Sequence, residues 1–236
     1  GKAKELFERG DLVRARLEVK NALQIDPKFA EAYGLLGRIE MQAGDFRAAY
    51  GALEKAVELN PGLLAAQLEL GKLLLVSGQP DKAMEKAELA LAKDPADPEG
   101  LMLKGSTLLA RREFEAAARV FEGLLQKGVR KPEAFLALAT AQAQAGGPAQ
   151  AEKTLLDGIA ANRDSAALSM GLARFYSEAK QPEKAVAAMR RVIEIEPHQP
   201  MHRFLLASLL WDDGRQAAAI EMVADVLAKE PAGEEL

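Results

Sequence analysis

The chain has no cysteine among its 236 residues, which excludes disulfides, thiol nucleophiles and thiolate metal sites. Cysteine content alone assigns no compartment. Strand formers are scarce as well: valine 10, isoleucine 6 and threonine 3 stand against alanine 45 and leucine 35, about a fourfold excess of strong helix formers. That balance argues for an all-α chain. Positive charge is not in excess; the formal net charge is -4 and the pI near 5.5, so the basic surface that nucleic acid or anionic lipid requires is missing. Long apolar runs are missing too. The longest uncharged stretch, Ala134 to Ala151, is interrupted by Gln142, Gln144, Gly146, Gly147 and Pro148 and cannot be a transmembrane segment. With 49% hydrophobic and 28% charged residues, the composition is that of a folded chain and excludes disorder.

What the sequence does have is an internal repeat. Ala15, Ala49, Ala83, Ala117, Ala151, Ala185 and Ala219 stand 34 residues apart without an insertion or deletion. Leu23, Val57, Leu91, Leu125, Ile159, Ile193 and Leu227 form an aliphatic column at the same period. A third column, Pro27, Pro61, Pro95, Val129, Arg163, Pro197 and Pro231, departs from proline only in the middle of the chain. The fourth reads Gly10, Gly44, Gly78, Arg112, Gly146, Lys180 and Gly214, marking a mid-repeat turn where a positive φ suits glycine.

Each unit therefore divides into two amphipathic helices of about 14 residues, each about 20 Å long. Proline at 80, 148 and 182 restarts the second helix, and at 98, 132 and 200 the first, in each case at a first-turn position where its missing N–H costs nothing. Asp11 and Asp45 stand where an N-cap is required. The alanine column is expected to face a small column on the partner helix, Ala3, Gly37, Gly71, Gly105, Ala139, Ala173 and Ala207, letting the two helices approach closely. The unit boundaries are 1–29, 30–63, 64–97, 98–131, 132–165, 166–199 and 200–236.

These columns resemble the tetratricopeptide repeat (TPR), with its W-x2-L-G-x2-Y, A-x3-F and terminal proline pattern. The second unit carries it as Tyr33, Leu36, Gly37, Ala49, Leu53, Ala56 and Pro61, the fourth as Leu101, Gly105, Ala117 and Phe121. Ala139, Gly158, Arg163 and Lys180, in the fifth and sixth units, leave the pattern. The resemblance implies an all-α solenoid of seven helix-turn-helix units, about 14 helices in a right-handed superhelix, with the first helix of each unit on the concave side.

Gly1 falls partway into the first helix of the first unit, and only Ala232 to Leu236 follow Pro231. A solenoid normally carries polar end caps, whereas the last helix presents Ile220, Val223, Val226 and Leu227. The sequence reads as a fragment of a longer chain, with Gly1 a tag remnant, or alternatively as an uncapped end that pairs with another copy.

Helical phase picks out a candidate binding groove, the face that by resemblance touches ligand in this family. One station along it is Lys4, Arg38, Lys72, Ser106, Thr140, Arg174 and Ser208, cationic in its first three members. A second is Gly34, Leu68, Met102, Leu136, Met170 and Phe204, and a third Phe7, Met41, Leu75, Leu109, Ala143, Ser177 and Trp211. A partner with apolar anchors and acidic residues toward one end suits this surface, since methionine-lined grooves adapt to peptides. Against that stands the reading that the apolar groups are half covered by the neighbouring unit. The cations have a similar alternative: Arg38 has Glu31 and Glu40 within surface pairing distance in sequence, and Lys72 has Glu69. Trp211 is either a binding anchor or a contact for a following segment.

The chaperone-type carboxylate clamp of better-known family members uses Asn as well as Lys, and Asn21, Asn60 and Asn162 all lie outside the groove set. His198 and His202 stand four apart, but Pro200 places His198 in the loop and no metal site is expected. Asp212 with Asp213 and Glu234 with Glu235 read as exposed charge at helix ends, and Gly146-Gly147-Pro148 as a turn without a phosphate-binding Lys-Ser/Thr pair. No catalytic constellation and no cofactor site emerges.

The expected function is a non-enzymatic scaffold that holds a protein or peptide in the groove. The stretch from Glu8-Arg9-Gly10-Asp11 to Asp26-Pro27 is also similar to the first repeat of bacterial envelope lipoproteins associated with exopolysaccharide export and PEP-CTERM sorting, which implies a periplasmic or envelope location over a cytoplasmic one. The alternatives are a self-assembling solenoid, or the targeting arm of an enzyme such as a glycosyltransferase whose catalytic domain lies outside these residues.

Overall fold

The computed structural model describes residues 1–229, so Pro231, Glu234 and Glu235 lie outside the described residues. Those residues form fourteen helices and no strand: α1 Lys2–Glu8, α2 Leu12–Ile25, α3 Ala30–Gln42, α4 Phe46–Leu59, α5 Leu64–Val76, α6 Pro80–Lys93, α7 Pro98–Ala110, α8 Phe114–Gln126, α9 Pro132–Gln144, α10 Pro148–Ala161, α11 Ala166–Glu178, α12 Pro182–Ile195, α13 Pro200–Asp212 and α14 Gln216–Lys229. They gather into two compact units, Gly1–Leu124 and Leu125–Leu236.

Local sequence sets where these helices begin and end. All six prolines expected in a first turn are the first residue of a helix. Asp11 accepts a hydrogen bond from the Arg14 amide at 3.1 Å and Asp45 one from the Ala48 amide at 2.9 Å, the capping geometry their positions predict. At all seven mid-repeat turns the column residue has positive φ, from 56° to 84°. Its N–H donates to the carbonyl three residues back, while the next residue donates five residues back, as Gly44 to Met41 and Asp45 to Glu40. This is the Schellman closure, which satisfies carbonyls that the helix end leaves free. Arg112 (63°) and Lys180 (56°) adopt the same conformation without being glycine. Where the terminal proline is replaced by Val129, Gly128 takes a φ of 87° after α8, and the Arg130 side chain donates to the Leu125 carbonyl.

The alanine column is buried in every unit. Its partner is not small against small throughout. A Cβ on Gly37 meets the Leu53 side chain at 2.5 Å and the Ala49 carbonyl oxygen at 3.3 Å, and one on Gly105 meets the Phe121 ring at 2.5 Å. The space opened by the glycine is filled by the large residue four positions beyond the alanine, one helical turn on, so the packing is a knob in a backbone notch. In Gly1–Leu124 the core is built from Ala49, Leu53, Ala66, Leu70, Leu73, Leu74 and Leu103, with a smaller group of Ala15, Val19, Ala32 and Ile39. In Leu125–Leu236 it runs from Phe135 and Leu155 through Leu168, Tyr176 and Met189 to Leu206 and Ala219.

Candidate functional site

In the first unit the predicted groove stations lie on α1, α3, α5 and α7. Met41 and Leu75 are half-buried against the core, as are Met102 and Leu109 in exposure. Leu68 is only 8% exposed and belongs to the core, so it offers this face little surface. Its helix, α5, is apolar nearly all the way round, so both of its sides find cover.

Arg38 and Lys72 of this face are engaged within the protein, whereas Lys4 has only an exposed contact. Lys4 lies 3.8 Å from Glu8. Arg38 does not pair with Glu31 or Glu40: its guanidinium lies over the Phe7 ring, 4.7 Å from the centroid, while Glu40 is held by the Arg16 fork through two bonds of 2.6 and 2.7 Å. The Glu40 hydrogen bond is the main cause that raises the Arg16 pKa. Lys72 sits between Glu69 (3.3 Å) and Glu99 (3.0 Å). Burial pulls its pKa down, but the two carboxylates together outweigh that and raise it. An acidic ligand at Lys72 therefore competes with two built-in carboxylates.

The second unit brings its stations together. Leu136, Thr140 and Ala143 of α9 face Gly171, Arg174 and Phe175 of α11 across a cleft of about 270 Å³. Gly171 is its floor, where a Cβ meets the Leu136 side chain. The Thr140 hydroxyl is turned back to the Leu136 carbonyl at 2.8 Å. Arg174 has only an exposed contact with Glu178 at 3.7 Å, which leaves its guanidinium available at negligible cost. Met170 packs partly against the same core. Phe204 and Trp211 line a separate apolar cleft of about 490 Å³ with Ile220, Val223 and Leu227, and Trp211 is 53% exposed.

Sequence reading missed a further cavity. In the first unit a cleft of about 600 Å³ opens between α4 and α6 over α5, lined among others by Tyr50, Glu54, Gln67, Leu74 and Glu85. Its floor residues lie roughly 130° around α5 from the groove stations, at 100° per residue. The available signal was Gln67, a polar residue in an apolar run that is 5% exposed. The two histidines stay apart in environment: His198 is exposed in a loop, and His202 is buried in α13 with Nε2 3.4 Å from Glu196. Among the described residues no three metal-ligating side chains gather, and no helix is long and apolar enough to cross a membrane.

Comparison with known proteins settles the family. A model of the cytochrome c-type biogenesis protein H TPR domain matches residues 2–135, and a tetratricopeptide repeat model matches 136–200 and 178–234. The chain belongs to the tetratricopeptide repeat family. Among solved structures, this TPR protein is similar to a thermophilic TPR protein of Thermus thermophilus at 22% identity and a TM-score of 0.70, over 77% of this chain and 99% of the other. A tetratricopeptide repeat protein from Parabacteroides merdae gives 19% identity and 0.72 over 98% and 91%. PilW, described as a widely conserved type IV pilus biogenesis factor, gives 23% and 0.71 over 87% and 95%. At these identities the likeness is one of fold, and the TPR fold indicates a protein-interaction scaffold, in general a non-catalytic one.

Proposed function

We propose that this TPR protein holds a partner polypeptide on the exposed face of its first helices, as a scaffold in the biogenesis of a larger assembly. The carrying observation is the cleft between α9 and α11, where residues from three separate groove stations, Leu136, Thr140 with Arg174, and Ala143, line one concavity. An apolar wall beside a guanidinium held only by the exposed contact with Glu178 suits a peptide with an aliphatic or aromatic anchor next to a carboxylate. The biogenesis reading draws support from the names of the matching family model and of PilW. A bacterial envelope location, exopolysaccharide export included, belongs to the same proposal and rests on the opening repeat.

The test is affinity capture from fractionated lysate with the parent protein, Arg174→Glu, and Leu75→Asp/Met102→Asp, each checked for helicity by circular dichroism. The expected result is a protein held by the parent and lost with Arg174→Glu at unchanged helicity. Equal capture by all folded variants refutes groove binding, and a partner found only in the cytosolic fraction refutes the envelope location.

A second reading, self-association, has its own observation. Ile220 and Leu227 are both 60% exposed, whereas Val186, which holds the place of Ile220 one repeat earlier, is 4% exposed and covered within the core that α13 joins. The α13–α14 face therefore offers apolar surface that earlier units bury. A monomer mass independent of concentration in light scattering counts against it.

A further inference from the structure

The 34-residue register allows the clefts between successive second helices to be compared position by position. Between α2 and α4, Arg16 reaches Glu40 on α3 through a two-bond fork. Between α10 and α12, Glu152 accepts from the Tyr176 hydroxyl of α11 at 2.7 Å and from Lys184 of α12 at 3.2 Å. Those bonds lower the Glu152 pKa, Tyr176 contributing most. In both places a charged residue of one second helix bonds across to a polar residue on the next first helix.

The cleft between α4 and α6 holds the same register positions with different residues. Tyr50 stands where Arg16 and Glu152 stand, Leu74 where Glu40 and Tyr176 stand, and Lys82 where Lys184 stands. Leu74 has no polar group to meet a crossing side chain. Tyr50 is instead influenced by Glu54 on its own helix, which raises the phenol's pKa, and Lys82 donates to Gln79 at 2.9 Å. The crossing bond is not made, and the cleft of about 600 Å³ stays open. At its floor, Gln67 is 5% exposed; its amide nitrogen donates to the Pro61 carbonyl at 3.1 Å, and its buried Oε1 has no hydrogen-bond donor. A buried acceptor without a donor is unfavourable, and a donor entering beside it would relieve that.

We propose that this cleft is a receptor for an arginine side chain in a basic segment of a partner protein. Leu70, Leu74 and Val57 give an apolar bed for the aliphatic stem. Glu54 and Glu85 at the rim and the buried Gln67 oxygen beneath the floor supply acceptors for a guanidinium, which has five donors and no acceptor; Glu58 is already held by Lys55 at 3.0 Å, and Lys82 and Lys86 line the same cleft. One repeat earlier Arg16 of α2 shows a guanidinium held in the chain by a carboxylate, its fork on Glu40. The site faces away from the groove stations and does not depend on the groove reading.

The test uses the pentapeptide acetyl-Leu-Arg-Leu-Arg-Leu-amide and its twin with citrulline in place of arginine, titrated into the full chain with methyl and side-chain amide resonances followed by NMR. The expected result is saturable shifts of the Leu70 and Leu74 methyls and the Gln67 amide, with affinity about tenfold lower for the citrulline twin and for Glu54→Gln/Glu85→Gln. A Tyr50→Glu/Leu74→Tyr variant rebuilds the Glu152–Tyr176–Lys184 arrangement in this cleft and is expected to abolish binding while the chain still folds. Absence of saturable shifts, equal binding of the citrulline twin, or undiminished binding to Glu54→Gln/Glu85→Gln overturns the proposal. The rim variant alters exposed side chains only, so it reads out even where the closed variant fails to fold.

Discussion

Two turn residues, Arg112 and Lys180, hold left-handed backbone conformations that the other five units assign to glycine, and replacing them with glycine should stabilise the protein. A left-handed conformation costs a residue with a Cβ about 1–2 kcal/mol. Glycine in return loses more chain freedom on folding, about 0.4–1 kcal/mol. Both side chains are exposed, and both turns keep the same two backbone bonds as their glycine counterparts: Arg112 to Leu109 and Glu113 to Leu108, Lys180 to Ser177 and Gln181 to Tyr176. The substitutions thus exchange backbone strain for chain entropy with little else altered. The net gain is about 0.5–1 kcal/mol for each, and for a chain of this length the double variant should melt about 2–8 °C higher. The reverse experiment is Gly44→Ala, at φ 80° with nothing within 4 Å of the new Cβ, which should cost about 0.5–1 kcal/mol, the same strain less the same chain entropy. Calorimetry of the parent, the double glycine variant and Gly44→Ala decides the matter. An unchanged or lower melting temperature in Arg112→Gly/Lys180→Gly, or a Gly44→Ala protein as stable as the parent, refutes the reasoning.

Three further outcomes are expected. Ala117→Leu places a large side chain at a fully buried position in the repeat and should destabilise by about 1–3 kcal/mol in urea titration; a neutral result shows the contact to be loose. Asp45→Ala removes the cap on the Ala48 amide and should cost about 1 kcal/mol, whereas Asp45→Asn retains the acceptor and should cost much less. The Tyr176 phenol is pushed up to about 12, first by burial and then by its bond to Glu152, against about 10 in an unfolded chain. Between those values the unfolded state holds fewer protons than the folded one, so the stability is complete below pH 10 and is lost as pH rises toward 12. Tyr176→Phe should flatten that alkaline loss, and an unaltered profile excludes Tyr176 as its source.

The elements were legible in the sequence because their signals are local. A first-turn proline, a capping aspartate and a turn glycine each act within a few residues, so all six helix-starting prolines and both caps lie where spacing puts them. The alanine column was legible because the repeat multiplies one steric requirement seven times. The groove was less so. Lys72 meets Glu99, and Arg16 meets Glu40, across neighbouring helices and 24 or more residues apart, which one helix's phase cannot reveal. The burial of Leu68 was not legible because α5 offers little contrast between its faces. The open cleft over Gln67 depends on which residue fails to cross a gap, and that is visible only when three register positions are set beside their counterparts in other repeats.

Within each unit the helices that pack closely are next to one another in the chain or separated by a single helix, as α3 with α4 and α5, or α11 with α12 and α9. Almost every native contact is therefore available once a few dozen consecutive residues exist. Low contact order of this kind makes for fast folding, because little loop-closure entropy is lost before contacts form. A repeat emerging from the ribosome finds its complete set of partners in the repeat just made and the one being made, so the chain can consolidate in step with synthesis rather than waiting for its last residue.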